Sequence, residues 1–264
     1  RSAMRHTVFA ASLFALSTTF VHAEIQTRTL AYEVEGTKIA SVLVYDDAGP
    51  AKRPALVMVP NWMGINADQI EKAKVIAGKE YVILVADVYG TATRPTNPDE
   101  AGKAASAMYA DRATLRARVN AALDQLTNAT GAPIDATKLG AIGFCFGGAT
   151  ALELARSGAD IAAVVSFHGN LGTDLPAKAG DIKAKVLALN GADDSYVPTE
   201  QIDGFTKEMQ SASVDFQFVN LGGAVHCFAE PDATGTVPGC QYNERAAKRA
   251  FRMMHDFFAE AFAN

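Results

Sequence analysis

The chain is 264 residues long, 49% hydrophobic and 20% charged, enough for one sizeable core at a length where α/β enzymes are routinely single domains. With 24 Lys+Arg against 29 Asp+Glu the net charge is −5, which offers no basic face for nucleic acid and excludes that partner. Three cysteines are too few for a disulfide scaffold and leave one thiol over if two of them pair.

Arg1, Ser2 and Ala3 precede the first methionine and read as a cloning scar, with Met4 as the natural start. A short basic stretch, Arg5 with His6, leads into an apolar run from Val8 to Val21 that closes on Val21-His22-Ala23. A short basic region, an apolar run and a small-residue cleavage site are the parts of a signal peptide. The run is too short for a membrane span, which needs roughly 20 residues. Residues 4–23 are therefore expected to be removed, leaving 24–264 as a single domain. That domain is expected to be periplasmic or secreted, in an oxidising compartment, with no membrane contact once the leader is gone.

Strand-like apolar runs follow in order at Ile25–Val34, Ile39–Tyr45, Ala55–Val59, Val82–Ala86, Lys138–Gly143, Ile161–Phe167, Lys185–Asn190 and Asp215–Leu221. Helix-like stretches fall among the later ones, at Asp68–Lys79, Asp99–Tyr109, Arg112–Leu126, Gly148–Arg156, Thr199–Gln210 and Glu244–Ala263. Such alternation predicts an α/β fold, a mostly parallel sheet of about eight strands with helices on both faces. In the last stretch Ala247, Ala250, Phe251, Met254, Phe257, Phe258 and Ala261 share one stripe, opposite Arg245, Lys248, Arg249, Arg252 and Glu260. That helix should pack on the sheet.

The fifth strand runs into a small-residue helix through Gly143-Phe144-Cys145-Phe146-Gly147-Gly148. The spelling is G-x-C-x-G-G, the cysteine form of the G-x-S-x-G turn in which strand and helix nearly touch and only glycine fits beside the nucleophile. A thiolate is a stronger nucleophile than a hydroxyl, and the positive end of a helix favours it. No Lys-Ser/Thr follows to make a phosphate loop, and the glycine spacing is not that of a dinucleotide fingerprint.

The fold imposes the order nucleophile, acid, histidine, and both partners follow. Gly191-Ala192-Asp193-Asp194-Ser195-Tyr196-Val197 comes after the seventh strand, and Gly222-Gly223-Ala224-Val225-His226 after the eighth. His226 is the candidate base. Asp194 fits G-x-x-D-x-x-V and is the candidate that orients it, leaving Asp193 as a loop carboxylate. Of the other histidines, His6 and His22 leave with the leader, and His255 flanks the apolar stripe as a structural residue. His168 ends the sixth strand at the sheet edge where sites of this class lie, and is a candidate for the pocket wall.

With Cys145, Asp194 and His226 assigned, residues 24–264 resemble the dienelactone hydrolase family of the α/β-hydrolase fold, particularly its cysteine-triad phosphotriesterases. The matching segments are Gly143 to Gly148, Asp194-Ser195-Tyr196-Val197-Pro198, His226-x-Phe228, Asp87-Val88-Tyr89 and Asn61-Trp62-Met63-Gly64-Ile65-Asn66. The resemblance implies an oxyanion hole from the backbone N–H groups of Trp62 and Phe146. It also implies a pocket drawn from Asn61, Met63, Tyr89, Arg94, His168 and Phe228. Three positions depart from the family pattern. Asn61 replaces a glutamate that helps to generate the thiolate, and Thr91 and Glu230 stand where the family carries arginines that clamp a substrate carboxylate. A carboxylate-bearing lactone is therefore poorly supported, and a neutral ester is expected.

The expected activity is hydrolysis of an ester or lactone through a covalent cysteine intermediate, with phosphotriesters attacked by the same apparatus, in a monomer or homodimer. No cofactor and no metal is called for. Cys227 and Cys240 are candidates for a disulfide across the loop after His226. A zinc site using them lacks a convincing further ligand. The alternatives are an exported thiol redox protein, which no Cys-x-x-Cys supports, and a non-catalytic binding protein on the same fold.

Overall fold

A computed structural model describes residues 24–263, so the scar and leader readings at 1–23 lie outside the described residues. The strands are β1 (Ile25–Val34), β2 (Thr37–Asp46), β3 (Arg53–Val59), β4 (Val82–Val85), β5 (Ile134–Phe144), β6 (Ala163–Phe167), β7 (Lys185–Gly191) and β8 (Phe216–Leu221). The helices are α1 (Ala67–Ala77), α2 (Pro98–Ala110), α3 (Arg112–Thr127), α4 (Phe146–Arg156), α5 (Thr199–Ser211) and α6 (Glu244–Phe262). One eight-stranded sheet runs in the order β1-β2-β4-β3-β5-β6-β7-β8. The β1–β2 and β2–β4 pairings are antiparallel and the rest are parallel. Largest among the differences from the predicted spans, β5 begins at Ile134, because Arg53 on β3 pairs with that residue across a register shift.

Strand alternation divides the core into two layers. Ala55, Val57 and Val59 of β3 face a cluster that holds Leu115 and Val119 of α3, Leu152 of α4 and Phe205 of α5. Leu56 and Met58 face the other, with Ala73 and Ile76 of α1 and Met254, Phe257 and Phe258 of α6. Central strands buried on both faces must be apolar throughout, which is why their sequences read as continuous runs. The α6 stripe packs as expected, and each large side chain sealed this way contributes about 1.5–3 kcal/mol relative to exposure. His255 lies off the stripe, stacked on Tyr81 with ring centroids 5.8 Å apart.

Parallel strands carry their carboxyl ends to one edge. The loops after β3, β5, β7 and β8 hold Trp62, Cys145, Asp194 and His226 there, in the crevice where open α/β sheets bind ligands.

Candidate active site

β5 ends at Phe144 and α4 starts at Phe146, so Cys145 alone makes the corner, with φ 54° and ψ −119°. A residue with a Cβ in that region stores on the order of 1–3 kcal/mol, and it persists only where its surroundings over-determine it. Here they do. A Cβ on Gly143 would lie 1.9 Å from the carbonyl oxygen of Gly147, and one on Gly147 would lie 2.0 Å from that of Val59. The glycines let β5, α4 and β3 close around the corner. The Cys145 N–H donates to the Phe167 carbonyl at 3.0 Å and to Nδ1 of His168 at 3.1 Å.

Two loops bring the partners to the thiol. His226 Nε2 is 3.0 Å from Cys145 Sγ, and its Nδ1 is 2.8 Å from Asp194 Oδ2. A carboxylate can only accept, so Nδ1 carries a proton and Nε2 faces the sulfur. Asp194 is in turn held by the Tyr196 N–H, which donates to Oδ1 at 2.8 Å. Asp193 is exposed and takes no part in this chain of contacts. Burial disfavours the charged ring of His226. It is outweighed by the charge on Cys145, the ring's hydrogen bonds to Asp194 and Cys145 and the charge of Asp194, which together push the pKa from 6.5 up to about 10. The contacts with Cys145 and Asp194 thus favour the protonated ring.

The loop after β3 supplies the other side. Phe146 is the first residue of α4, so its N–H has no intrahelical acceptor and points out of the helix end. Trp62 precedes Met63, whose N–H donates to Asn61 Oδ1 at 3.0 Å. Asn61 Nδ2 donates to Glu230 Oε2 at 3.2 Å, and the Lys72 ammonium pairs with that same oxygen. Glu230 is only 3% exposed, and its Oε1 has no partner among the described residues.

Two cavities meet at Cys145. One of about 250 Å³ is walled by Trp62, Tyr109, Phe146, Tyr196, Val197 and His226, among others. The second, of about 340 Å³, is walled by Asn61, Trp62, Met63, Thr96, Asn97 and Glu230, among others. Asn61 and Met63 line the second cavity, whereas Tyr89, Arg94, His168 and Phe228 line neither of the two. Tyr89 lies behind the wall, donating from its hydroxyl to the Trp62 carbonyl at 3.0 Å and packing on Phe146 with centroids 5.2 Å apart. Arg94 is committed to Asp87, Nη2 to Oδ2 at 2.7 Å, and to the Gly90 carbonyl. His168 is fully buried beneath Cys145, and Phe228 is fully buried edge-on to it, centroids 5.1 Å apart. In each case a local buried partner outcompetes the cleft.

Sequence reasoning missed Ala105, Tyr109, Asn170, Tyr196, Val197 and Val237 as wall residues. Tyr196 lay within a quoted motif, and its position next to the acid was the one available signal. Cys227 and Cys240 are joined as a disulfide, which leaves Cys145 as the one free cysteine among the described residues. The bridge closes the loop after His226, where the Gln241 N–H donates to the His226 carbonyl at 2.9 Å.

A sequence model of the dienelactone hydrolase family matches residues 40–262. The chain belongs to that family. As a dienelactone hydrolase family member it is a hydrolase acting on ester bonds. Among solved structures it is similar to m3DLH, at 36% identity and a TM-score of 0.83, over 90% of this chain and 98% of that one. It is also similar to P91, a dienelactone hydrolase-like promiscuous phosphotriesterase from metagenomic libraries, at 37% identity and a TM-score of 0.82, with the same coverage of each chain. An uncharacterized protein of Caenorhabditis elegans, K02A2.1, is 37% identical over 161 residues, which is 59% of this chain and all of that protein.

Proposed function

We propose that this dienelactone hydrolase family member cleaves neutral esters and lactones by a Cys145-His226-Asp194 triad, through a thioester on Cys145. The contact that carries the reading is His226 Nε2 at 3.0 Å from Cys145 Sγ, with Nδ1 tied to Asp194. The thiolate attacks the carbonyl carbon, forming a C–S bond and a tetrahedral oxyanion. The N–H groups of Trp62 and Phe146 hold that oxyanion, and donors fixed where charge develops are worth about 3–4 kcal/mol each. Collapse breaks the C–O bond, and the departing alkoxide takes the proton from His226 Nε2.

Acylation consumes the thiolate, and with it goes the charge that held the proton on His226. The neutral ring then becomes the base that deacylation needs. It takes a proton from water, the hydroxide attacks the thioester, and the C–S bond breaks to restore the thiolate beside the imidazolium. Each half-reaction uses the protonation state that the other leaves behind.

Phosphotriesters suit the same apparatus. They carry no negative charge to repel the thiolate, and the developing oxyanion at phosphorus fits the same two donors. The likeness to P91 supports this second activity. The decisive comparison is stopped-flow hydrolysis of an aryl acetate and an aryl diethyl phosphate by wild type, Cys145→Ala and His226→Ala. An aryl-alcohol burst with both substrates in wild type, absent from Cys145→Ala, is expected. Undiminished turnover by Cys145→Ala contradicts the reading. We also propose an exported protein, which the apolar run of the leader and the Cys227–Cys240 bridge support, since disulfides persist in oxidising compartments. Cell fractionation with an intact N-terminus tests it, and retention with the cytosol would count against it.

A further inference from the structure

The two cavities share Trp62, Cys145, Cys227, Val237 and Cys240 and then diverge. His226 lines the first of them and not the second. That asymmetry orients the substrate, because the alcohol that leaves must take its proton from His226 Nε2 and so must sit on the side where His226 is exposed. We infer that the cavity walled by Tyr109, Phe146, Tyr196 and Val197 is the leaving-group subsite and that the cavity walled by Asn61, Thr96 and Asn97 receives the acyl group.

The wall chemistry then names the substrate class. A cavity of about 250 Å³ lined by aromatic and aliphatic side chains holds one substituted aromatic ring, since a dry cavity of about 150 Å³ already takes benzene. The acyl side is walled by the polar side chains of Thr96, Asn97, Thr234 and Thr236. Its described lining residues include no lysine or arginine, while Glu230 and Asp232 both stand on it. Lys72 is already spent on Glu230. With Glu230 neutralised by Lys72, an acyl carboxylate would still meet Asp232 with no lining cation to pair with, which is rejection by charge rather than by size. The preferred substrates are esters of aromatic or apolar alcohols with small, uncharged, hydrogen-bonding acyl groups. This inference rests on the triad reading and extends it.

The test uses the full chain and two esters that place a benzyl group and a short hydroxyalkyl group on opposite sides of the ester bond. Benzyl glycolate puts the ring on the alcohol, and 2-hydroxyethyl phenylacetate puts it on the acid. Both release alkyl alcohols, and each rate is normalised to its alkaline hydrolysis. Benzyl glycolate is expected to have the higher kcat/KM by about tenfold or more, the scale on which a filled apolar pocket discriminates. Ala105→Trp, which fills the apolar side from α2, is expected to lower the benzyl-to-methyl glycolate ratio by a similar factor. Equal or reversed preference between the two esters, or an unchanged ratio in Ala105→Trp, overturns the assignment of the subsites while leaving the triad standing. Turnover that is equal in wild type and Cys145→Ala overturns both.

Discussion

The backbone N–H of Cys145 is held by Nδ1 of His168 at 3.1 Å, from an imidazole with no exposed surface. His168 itself has φ 40°, so two successive strand ends, those of β5 and β6, both turn through the left-handed region at the point where they touch. To accept the N–H the ring must be neutral with its proton on Nε2. Burial, with the nearby charges of His226 and Lys72, holds its pKa well below 6.5.

The neutral ring makes His168 a source of acid sensitivity. Its folded pKa lies below the unfolded value, so below pH 6.5 the unfolded chain binds a proton that the folded chain refuses. Stability from this group is present above pH 6.5 and is lost as pH falls. Urea unfolding at pH 7 and pH 5 should show wild type losing more stability than His168→Asn, whose Oδ1 preserves the acceptor without titrating. His168→Phe, which removes the acceptor, should lose kcat with little change in KM and about 1 kcal/mol of stability. A His168→Phe enzyme with wild-type kcat would show that the contact does not hold the nucleophile in place.

Acylation should carry a basic limb set by His226. The ring keeps its proton below about 10 and loses it above, so the burst rate should fall as pH rises through that value. Asp194 contributes a hydrogen bond and a charge to that pKa. Asp194→Asn should move the limb to lower pH and reduce kcat by about 10²–10⁴-fold. Burst rates collected from pH 6 to 11 on both proteins decide this, and a limb that stays in place in Asp194→Asn would remove Asp194 from the account.

The Cys227–Cys240 bridge closes a loop with a sequence separation of 13. In the chain-entropy model a loop of that size contributes about 3 kcal/mol. Thermal unfolding of Cys240→Ala should show a loss of that order. Thiol titration of the denatured wild type should find one reactive group before reduction and three after, matching the single free Cys145.

Glu230 holds the loop after β3 through Asn61 while Lys72 neutralises it. Glu230→Ala leaves the largely buried Lys72 ammonium unpaired, which costs about 3–5 kcal/mol, and frees Asn61. Its kcat should drop with stability. Glu230→Gln keeps an acceptor for Asn61 and should recover part of the kcat but not the melting temperature. Denaturant melts paired with steady-state kinetics separate the two effects.

Much of the site was legible because backbone sterics had to be written into the sequence. Gly143 and Gly147 are required where a Cβ would collide with main chain, and that requirement exposed Cys145. Fold order then located Asp194 and His226. Much of the cleft wall was not legible. Tyr109 and Val237 reach the cavity from segments whose approach depends on the packing of α2 and of the bridged loop. Arg94 shows the converse error, since a charged side chain in a loop near the site found Asp87 first. Glu230 was legible only as a missing arginine, and its tie to Asn61 and Lys72 required three segments far apart in sequence to be assembled.

Capture of the thioester on Cys145 tests the proposed nucleophile at the reacting atom itself. Wild type mixed with excess aryl acetate, quenched in acid within the burst, and mapped by peptide mass spectrometry should carry one acetyl group on the peptide containing Cys145. Continued turnover with no acetyl group on Cys145, or with the acetyl group on another residue, would contradict the account.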